Sequence, residues 1–327
     1  MSDTAGDAGA PPGVVVLGEL CVDIVVELAD PPVFGQTETV VPATSVVMGS
    51  SSAITACGLA RMGVPTEIVG VVGDDLFGGF VRASLAERGV ATTACRVDPA
   101  LPTGSSTILT RPDGDRSILT ALGSIGTVTT ADVPEGLLAG ARHVHVGSYF
   151  LQYAVHGSLG PWFARCRERG LTTSLDPNFD PAGTWDAGVL EVLPHVDVLF
   201  CNEQEACGMA ARDGLADATS RLLGLLPPGA VLVLKRGPEG AEALLAPGGA
   251  GDDAVDTVGV AAPAPAEDRP FADAVGAGDS LAAGFLAARL RGLDVASALA
   301  VGVANGTAST RATGGVAGQL PWDPAWD

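Results

Sequence analysis

The stretch "FADAVGAGDSLAAGFLAARLRG", residues 271–292, places small residues and an aspartate before a run of helical character. If the run is a helix, Gly276, Ala277 and Gly278 lie at its N-terminus, where free N–H groups and the helix dipole bind anions. Asp279 then stands in the first turn, where a carboxylate beside a transferred phosphoryl group accepts a proton from the attacking hydroxyl. Aspartate is also common at helix starts, and small residues also mark close packing, so the stretch alone favours a structural role.

Around this stretch, short apolar runs alternate with helix-like segments that end in glycine, a residue suited to helix C-termini. The apolar runs cover residues 14–20, 66–73, 143–149, 172–178, 196–203 and 230–237. The helix-like segments include residues 51–63, 77–89 and 160–170. This alternation predicts βαβ units, hence an α/β fold with a mostly parallel sheet between two layers of helices.

Three segments depart from this pattern. Residues 31–48 and 103–123 alternate in polarity as the strands of a small accessory sheet do. Residues 246–270 are rich in proline, glycine and aspartate, which indicates a long loop with one edge strand, or a functional flap. We predict a disordered tail over 1–12 and a single domain over 13–327.

The chain is acidic, with 18 Lys and Arg residues against 38 Asp and Glu residues and a formal net charge of −20. This charge disfavours nucleic acid and anionic membranes as partners. No apolar run reaches the roughly 18 residues of a membrane span. The six cysteines and four histidines follow no disulfide or metal-ligand spacing, and no signal peptide is evident, so we expect a cytoplasmic protein.

Two common phosphate-binding chemistries are disfavoured. Lys235 is the only lysine, and no G-x-x-x-x-G-K-[ST] motif contains it, which excludes a Walker-type loop. A dinucleotide fingerprint would open the first βα turn of a domain, whereas the Gly276 cluster lies near the C-terminus.

In its motifs the chain resembles the PfkB (ribokinase-like) family of sugar and nucleoside kinases. The family signature D-T-x-G-A-G-D is matched from Asp273 to Asp279, with Ala274 in place of Thr. Further matches, in the family's order, are "VVVLGELCVDIVV", "MGSSSAITACGLARMG", "VGVVGDDLFG", "PTGSSTILTRPDGDRSIL" with a turn at 112–114, "LDPNFD", "CNEQEA", "LKRGPEG" and "VGVANGTAS". The resemblance spans about residues 13–321.

The resemblance implies a three-layer α/β/α fold of the ribokinase type with a small β lid, and transfer of a phosphoryl group from ATP with Mg²⁺. It implies that Asp279 is the general base and that the N–H groups of Ala277, Gly278 and Asp279, after Gly276, hold the migrating phosphoryl group. The resemblance leaves open whether K⁺ is required and whether two copies pair through the lid.

The remaining site residues are carried over from the matched motifs. Asn202 and Glu205 should organise Mg²⁺ through water, although this pair could instead cap a helix. The expected substrate-binding residues are Asp23, Gly49, Ser50 and Ile54. The expected nucleotide-binding residues are Asn178, Lys235, Arg236, Gly237, Gly240, Asp273 and Asn305.

Two positions of the substrate segment depart from the family's G-G-x-x-x-N pattern. Ser50 replaces the second glycine, and Ile54 replaces the asparagine that contacts sugar hydroxyls. Ile54 cannot bind a hydroxyl, which puts common sugars in doubt more than phosphoryl transfer itself. We expect a kinase that phosphorylates a primary hydroxyl of a sugar or sugar-like molecule. The alternatives are a nucleoside kinase, with Ile54 against the base or a deoxygenated ring, and a non-catalytic ligand-binding relative.

Overall fold

Residues 13–111, 116–248, 256–263 and 271–327 are described by the structure, a computed structural model. The predicted tail over 1–12 and the predicted turn at 112–114 lie outside the described residues.

The described ranges contain fourteen strands and nine α-helices. The strands are β1 (Val14–Leu17), β2 (Cys21–Glu27), β3 (Ala43–Met48), β4 (Thr66–Val69), β5 (Val71–Gly73), β6 (Arg96–Asp98), β7 (Gly104–Thr110), β8 (Arg116–Ala121), β9 (His143–Gly147), β10 (Thr172–Asp176), β11 (Val198–Asn202), β12 (Val231–Lys235), β13 (Ala241–Leu245) and β14 (Thr257–Val260). The helices are α1 (Ser51–Arg61), α2 (Leu76–Glu87), α3 (Glu135–Gly140), α4 (Leu159–Glu168), α5 (Val189–Val192), α6 (Glu203–Ala210), α7 (Leu215–Leu223), α8 (Ala277–Leu290) and α9 (Val295–Ser309).

The main sheet has eight strands in the order β14-β13-β12-β11-β10-β9-β1-β4. Its strands are parallel except β13 and β14, which are antiparallel to their neighbours. The predicted mostly parallel sheet is confirmed. The edge strand expected within residues 246–270 is β14.

Both faces of the main sheet are covered by helices. In β1, Val14 and Val16 belong to one buried cluster, which includes residues of α1, α2, α8 and α9. Val15 and Leu17 belong to the cluster on the opposite face, with residues of α3, α4, α5, α6 and α7. Successive strand residues point to opposite faces, so a strand covered on both sides must be apolar throughout. The predicted three-layer architecture is confirmed.

A second sheet of four strands, β3-β2-β7-β8, which we call the lid sheet, stands apart from the main sheet. Two details differ from the sequence prediction. The lid sheet also contains Cys21–Glu27, which lies outside the two segments predicted for the accessory sheet, and within 31–48 only Ala43–Met48 is a strand. The chain leaves the main sheet between β1 and β2, where it contributes Glu19 to the site described below.

Candidate active site

The candidate active site lies at the edge of the main sheet where neighbouring parallel strands end in polar residues. β10 ends at Asp176, β11 at Asn202 and β12 at Lys235, and Asn202 and Lys235 are register partners. In an open parallel sheet the carboxyl ends of the strands meet at one edge, which is where such folds bind ligands. The N-termini of α1 and α8 reach the same place, because Ser51 at the start of α1 bonds to Asp279 in α8.

Gly276 is the N-cap of α8 and makes a close turn possible. Its φ is +70°, in the left-handed region that favours glycine. A Cβ at this position would lie 2.6 Å from the Cα of Gly315 and 3.0 Å from the side chain of Ile54. The glycine is therefore required both by its backbone conformation and by the closeness of its neighbours.

The N-terminus of α8 presents two N–H groups to the site. The N–H of Ala277 donates to the carbonyl of Ala274 at 3.3 Å, and the N–H of Ser280 donates to the carbonyl of Gly276 at 2.8 Å. Helix geometry leaves the N–H groups of Gly278 and Asp279 for an anion. The Ala277 N–H, the third donor predicted for the anion, is already used by this turn, and the anion site stays a prediction.

Asp279 is a carboxyl whose surroundings suit a base at neutral pH. Burial, followed by the negative charge of Asp176, raises its pKa from 3.8 to about 7. The hydrogen bond from Ser51 and the charge of Lys235 oppose this rise. Asp279 also joins α8 to α1 through its backbone, because the Thr55 hydroxyl donates to its carbonyl at 3.3 Å.

A chain of hydrogen bonds leads from Asp279 to a buried carboxylate. The Ser51 hydroxyl donates to Oδ1 of Asp279, and the amide of Asn178 donates to the hydroxyls of Ser51 at 2.7 Å and Ser148 at 2.9 Å. Ser148 in turn donates to Oε1 of Glu19 at 2.9 Å. Asn178 was predicted to lie near the phosphates, and the structure places it beside Asp279.

Glu19 and Ser52 complete this chain, and no role was carried over from a motif to either residue. Ser52 donates to Oε2 of Glu19 at 2.6 Å, and Glu19 is 3% exposed. Burial raises the pKa of Glu19, while its bonds to Ser52 and Ser148 oppose the rise. An acid inside an apolar run needs a partner, and this criterion, which singled out Asp23, would also have found Glu19 in "VVVLGELCVD". Ser51 and Ser148 carry no comparable signal.

Lys235 lies between two carboxylates at the strand ends. Its ammonium contacts Oδ1 and Oδ2 of Asp176 at 3.0 and 2.8 Å, and Oε2 of Glu205 at 3.6 Å. Burial alone would lower the pKa of Lys235. The negative charge of Asp176, followed by that of Glu205, instead holds this pKa well above its usual range. Its side chain also lies against Gly278, where a Cβ would be 3.1 Å from Cδ. A permanent positive charge therefore adjoins the N-terminus of α8.

Asn202 and Glu205 form a reciprocal cap at the start of α6. The Asn202 side chain accepts from the Glu205 N–H at 2.9 Å, and Oε2 of Glu205 accepts from the Asn202 N–H at 2.8 Å. The capping alternative is thus present. It does not exclude a metal role, because both contacts of Glu205 use Oε2, and carboxylate and amide oxygens suit Mg²⁺ bound through water. Within the described ranges, no cluster of three or more His, Cys, Asp or Glu residues could hold a metal directly.

Asp23 faces the site from the lid sheet. It is 7% exposed, and its carboxylate lies so close to Gly49 that a Cβ there would be 2.2 Å from Oδ1. Burial raises its pKa to about 6, with further contributions from the charges of Glu19 and Asp273, while the charge of Arg116 opposes them. The missing side chain at Gly49 therefore leaves the space that the Asp23 carboxylate occupies.

Ser50 and Ile54 differ from their predicted substrate contacts. The Ser50 hydroxyl caps α1 by accepting from the N–H of Ala53 at 3.0 Å and donates to the carbonyl of Glu19. Ile54 is 3% exposed and packs beneath Gly276 and Gly315. Ser50 thus caps α1 and Ile54 supports the turn before α8, while their contact with a substrate stays a prediction.

An apolar cavity of about 290 Å³ adjoins the N-terminus of α8. Its lining includes the predicted nucleotide-binding residues Lys235, Gly237 and Gly240, together with Gly278 of the predicted anion site. The remaining lining residues are mostly small or apolar: Pro238, Ala262, Pro263, Phe271, Ala274, Ala277, Leu281, Val303, Gly306, Thr307, Thr310 and Arg311. Ligand sites of this kind are mostly apolar with a few polar groups at one end.

Four predicted nucleotide-binding residues do not line this cavity: Asn178, Arg236, Asp273 and Asn305. Asn305 is fully buried, and its amide donates to the carbonyl of Ser280 and accepts from the N–H of Leu320. The Arg236 guanidinium pairs with Glu239 at 3.4 Å. Asp273 accepts from the N–H groups of residues 275 and 314, which shapes the turn before α8. The side chains of Asn305, Arg236 and Asp273 thus bond within the protein, and their contact with a nucleotide stays a prediction.

The comparisons with known proteins are consistent with this geometry. The family model described as "pfkB family carbohydrate kinase" matches residues 12–323. The ATP-dependent ribose-1-phosphate kinase of Halopiger xanaduensis is 32% identical over 252 residues, which cover 77% of this chain and 76% of that protein. The fructokinase of Klebsiella pneumoniae is 28% identical over 253 residues, 73% and 76% of the two chains. Among the described residues no helix is long and apolar enough to cross a membrane.

Solved structures share the fold. A putative ribokinase II of E. coli in complex with ATP and Mg²⁺ has a TM-score of 0.79 and 23% identity, covering 95% of this chain and 96% of that one. Arabidopsis thaliana ribokinase, complexed with ribose and ATP, has a TM-score of 0.77 and 22% identity, covering 96% and 97%. The fold and the family predicted from the sequence are confirmed, and the chain belongs to the PfkB family of carbohydrate kinases.

Proposed function

We propose that this protein is an ATP- and Mg²⁺-dependent kinase. It transfers the γ-phosphoryl group to a primary hydroxyl of a sugar or sugar-like molecule, with Asp279 as general base. One observation carries the proposal. The Asp279 carboxyl stands at the N-terminus of α8, next to Gly278, in surroundings that raise its pKa to about 7. A general base works best when its pKa lies near the operating pH.

The proposed reaction uses the Asp279 carboxylate and the free N–H groups in the first turn of α8. The acceptor oxygen forms its bond to the γ-phosphorus while the bond from that phosphorus to the bridging oxygen breaks, which leaves ADP. Asp279 takes the proton of the acceptor hydroxyl. The N–H groups of Gly278 and Asp279 stabilise the charge on the transferred group, and the loss of one such donor typically lowers the rate about 10²- to 10³-fold.

The nucleotide and the metal have fitting surroundings. The apolar cavity suits the base of ATP, and Lys235 at its polar end suits the phosphates. Asn202 and Glu205 would hold Mg²⁺ through water, and bound Mg²⁺ would neutralise charge on the phosphate oxygens. The E. coli neighbour in complex with ATP and Mg²⁺ supports this assignment, and K⁺ stays a prediction.

A sugar is the favoured acceptor. The relatives named ribose-1-phosphate kinase and fructokinase support it, and Asp23 is placed to accept from sugar hydroxyls. The case for a nucleoside depended on Ile54 facing the substrate, whereas Ile54 is buried beneath Gly276. A non-catalytic relative would have no need of a half-buried acid with a raised pKa such as Asp279, because its partial burial is unfavourable for folding.

Cellular setting and assembly are also proposals. The six cysteines are all free, which suits a reducing compartment and supports a cytoplasmic location. On the lid sheet, Ile118 and Leu119 of β8 are 51% and 59% exposed, which supports pairing of two copies through the lid.

The test is a panel of sugars and nucleosides with Mg·ATP, read by ADP release and by product mass. Turnover of sugars is expected, and Asp279→Asn should lower kcat about 10²- to 10⁴-fold while ATP binding persists. The matched control is Asp294→Asn, the same change at the N-cap of α9, where asparagine caps equally well. An Asp279→Asn protein with undiminished turnover would overturn the role of Asp279, and turnover of nucleosides alone would select the other substrate class.

A further inference from the structure

Ser51 is the residue through which α1 contacts the carboxyl of Asp279. It is the first residue of α1, directly after the cap Ser50, and its hydroxyl donates to Oδ1 of Asp279. A serine at the start of a helix commonly serves the helix itself. Here Ser50 provides that cap, so the Ser51 hydroxyl is left to act on the site.

The direction of the Ser51 hydrogen bond is fixed by its neighbours. The Asn178 amide nitrogen, which can only donate, contacts the Ser51 hydroxyl at 2.7 Å and the Ser148 hydroxyl at 2.9 Å. Each serine must then direct its own hydrogen away from Asn178. Ser51 directs it to Asp279, and Ser148 directs it to Glu19 at 2.9 Å. The ionised form of Asp279 is the form that this arrangement favours.

The charged groups around Asp279 act in both directions. From β10, Asp176 raises its pKa, and from the segment between β1 and β2, Glu19 does the same. From β12, Lys235 lowers it, as does the hydrogen bond from Ser51. Ser51 is thus an uncharged group that favours the ionised carboxylate among acids that disfavour it.

We propose that Ser51, oriented by Asn178 and through it by Ser148 and Glu19, is a positioning residue that holds Oδ1 of Asp279 and thereby keeps this carboxylate ionised and turned toward the acceptor. The inference rests on the proposed role of Asp279 as base. It assigns a hydrogen-bonded chain of side chains to preparing the base before substrate binds, a role that none of the motif matches gave them.

The test compares the pH dependence of kcat/KM for Ser51→Ala, Ser51→Thr and Thr55→Val. Thr55→Val is the matched control, because it removes a hydroxyl from the same helix that bonds to the backbone of Asp279 and not to its carboxylate. A hydrogen bond to an ionised group corresponds to about a tenfold effect or more. For Ser51→Ala we expect the acid limb to move up by about one pH unit and kcat/KM at pH 7 to fall about fivefold, with KM for ATP unchanged.

Ser51→Thr should restore both values, and Thr55→Val should keep the position of the acid limb. If thermal unfolding shows that Ser51→Ala does not fold, Ser148→Ala interrupts the chain beyond Asn178, further from Asp279. It should move the acid limb in the same direction by less. An acid limb that stays in place in Ser51→Ala, or in Ser148→Ala as its substitute, overturns the inference. In that case Asp279→Asn, if inactive, still leaves the proposed function standing, whereas an active Asp279→Asn removes both.

Discussion

Asp279 should destabilise the fold that it serves, and this can be measured without any substrate. Its carboxyl has a pKa of 3.8 when unfolded and about 7 when folded. Between these values the folded protein keeps a proton that the unfolded chain has released, so stability falls as the pH rises through this window. We therefore expect Asp279→Asn to be more stable than the parent protein above neutral pH.

The size of the effect follows from the two pKa values. The ionisation of Asp279 costs the folded state about 1 kcal/mol at pH 4.5 and about 4 kcal/mol at pH 8. Because Asp279 keeps part of its surface in the cleft, solvent screening makes these values upper bounds. Asparagine keeps an oxygen that can accept from Ser51, so this hydrogen bond is retained in the variant.

The assay is urea unfolding of the parent, Asp279→Asn and the control Asp294→Asn at pH 4.5 and pH 8, without nucleotide. The stability advantage of Asp279→Asn should be larger at pH 8 by about 1 to 3 kcal/mol. The exposed Asp294 should show no such gain. An equal difference from the parent at both pH values, or an Asp279→Asn protein less stable than the parent at pH 8, would refute the reasoning.

Two further predictions concern the neighbours of Asp279. Lys235→Met leaves two buried carboxylates without their ammonium, which should cost about 3–5 kcal/mol and lower Tm by about 4–7 °C, as thermal unfolding would show. Adding Asp176→Asn should recover part of this loss, and no recovery would contradict the ion-pair explanation. Gly276→Ala should cost at least about 1–2 kcal/mol from its left-handed φ, with additional loss from contact with Gly315, and turnover should fall with stability. A Gly276→Ala protein of parental Tm and turnover would contradict this interpretation.

Much of the fold was predictable because burial on both faces of a parallel sheet leaves a clear sequence pattern. Helices α1, α2 and α4 each end two residues before the glycine that the sequence predicted as their stop. The boundary between the main sheet and the lid sheet was not predictable, because β1 and β2 follow each other closely and both consist mostly of apolar residues. Only the tertiary pairing of Cys21–Glu27 with β3 and β7 separates them.

Site residues were predictable where burying the side chain costs much free energy, as for an acid, and not where burial costs little, as for a serine. Asp23 stood out as an acid in an apolar strand, but a serine such as Ser51 fits almost any helix start, so its sequence says little. The packing of Ile54 and Asn305 was not predictable, because motifs give positions along a helix and not the packing of α8 against α1 and α9. That packing turns Ile54 under Gly276 and closes Asn305 between residues 280 and 320.

The bond between Ser51 and Asp279 joins residues 228 positions apart in the chain. At a synthesis rate of about 5–20 residues per second, roughly 10 to 45 s pass on the ribosome before the second partner exists. During that interval α1 has emerged without α8, the helix that later covers it. Kinase activity should therefore appear only when the last helices have been made, so that turnover in a translation reaction would report the completion of whole chains and would not report the earlier folding of the main sheet.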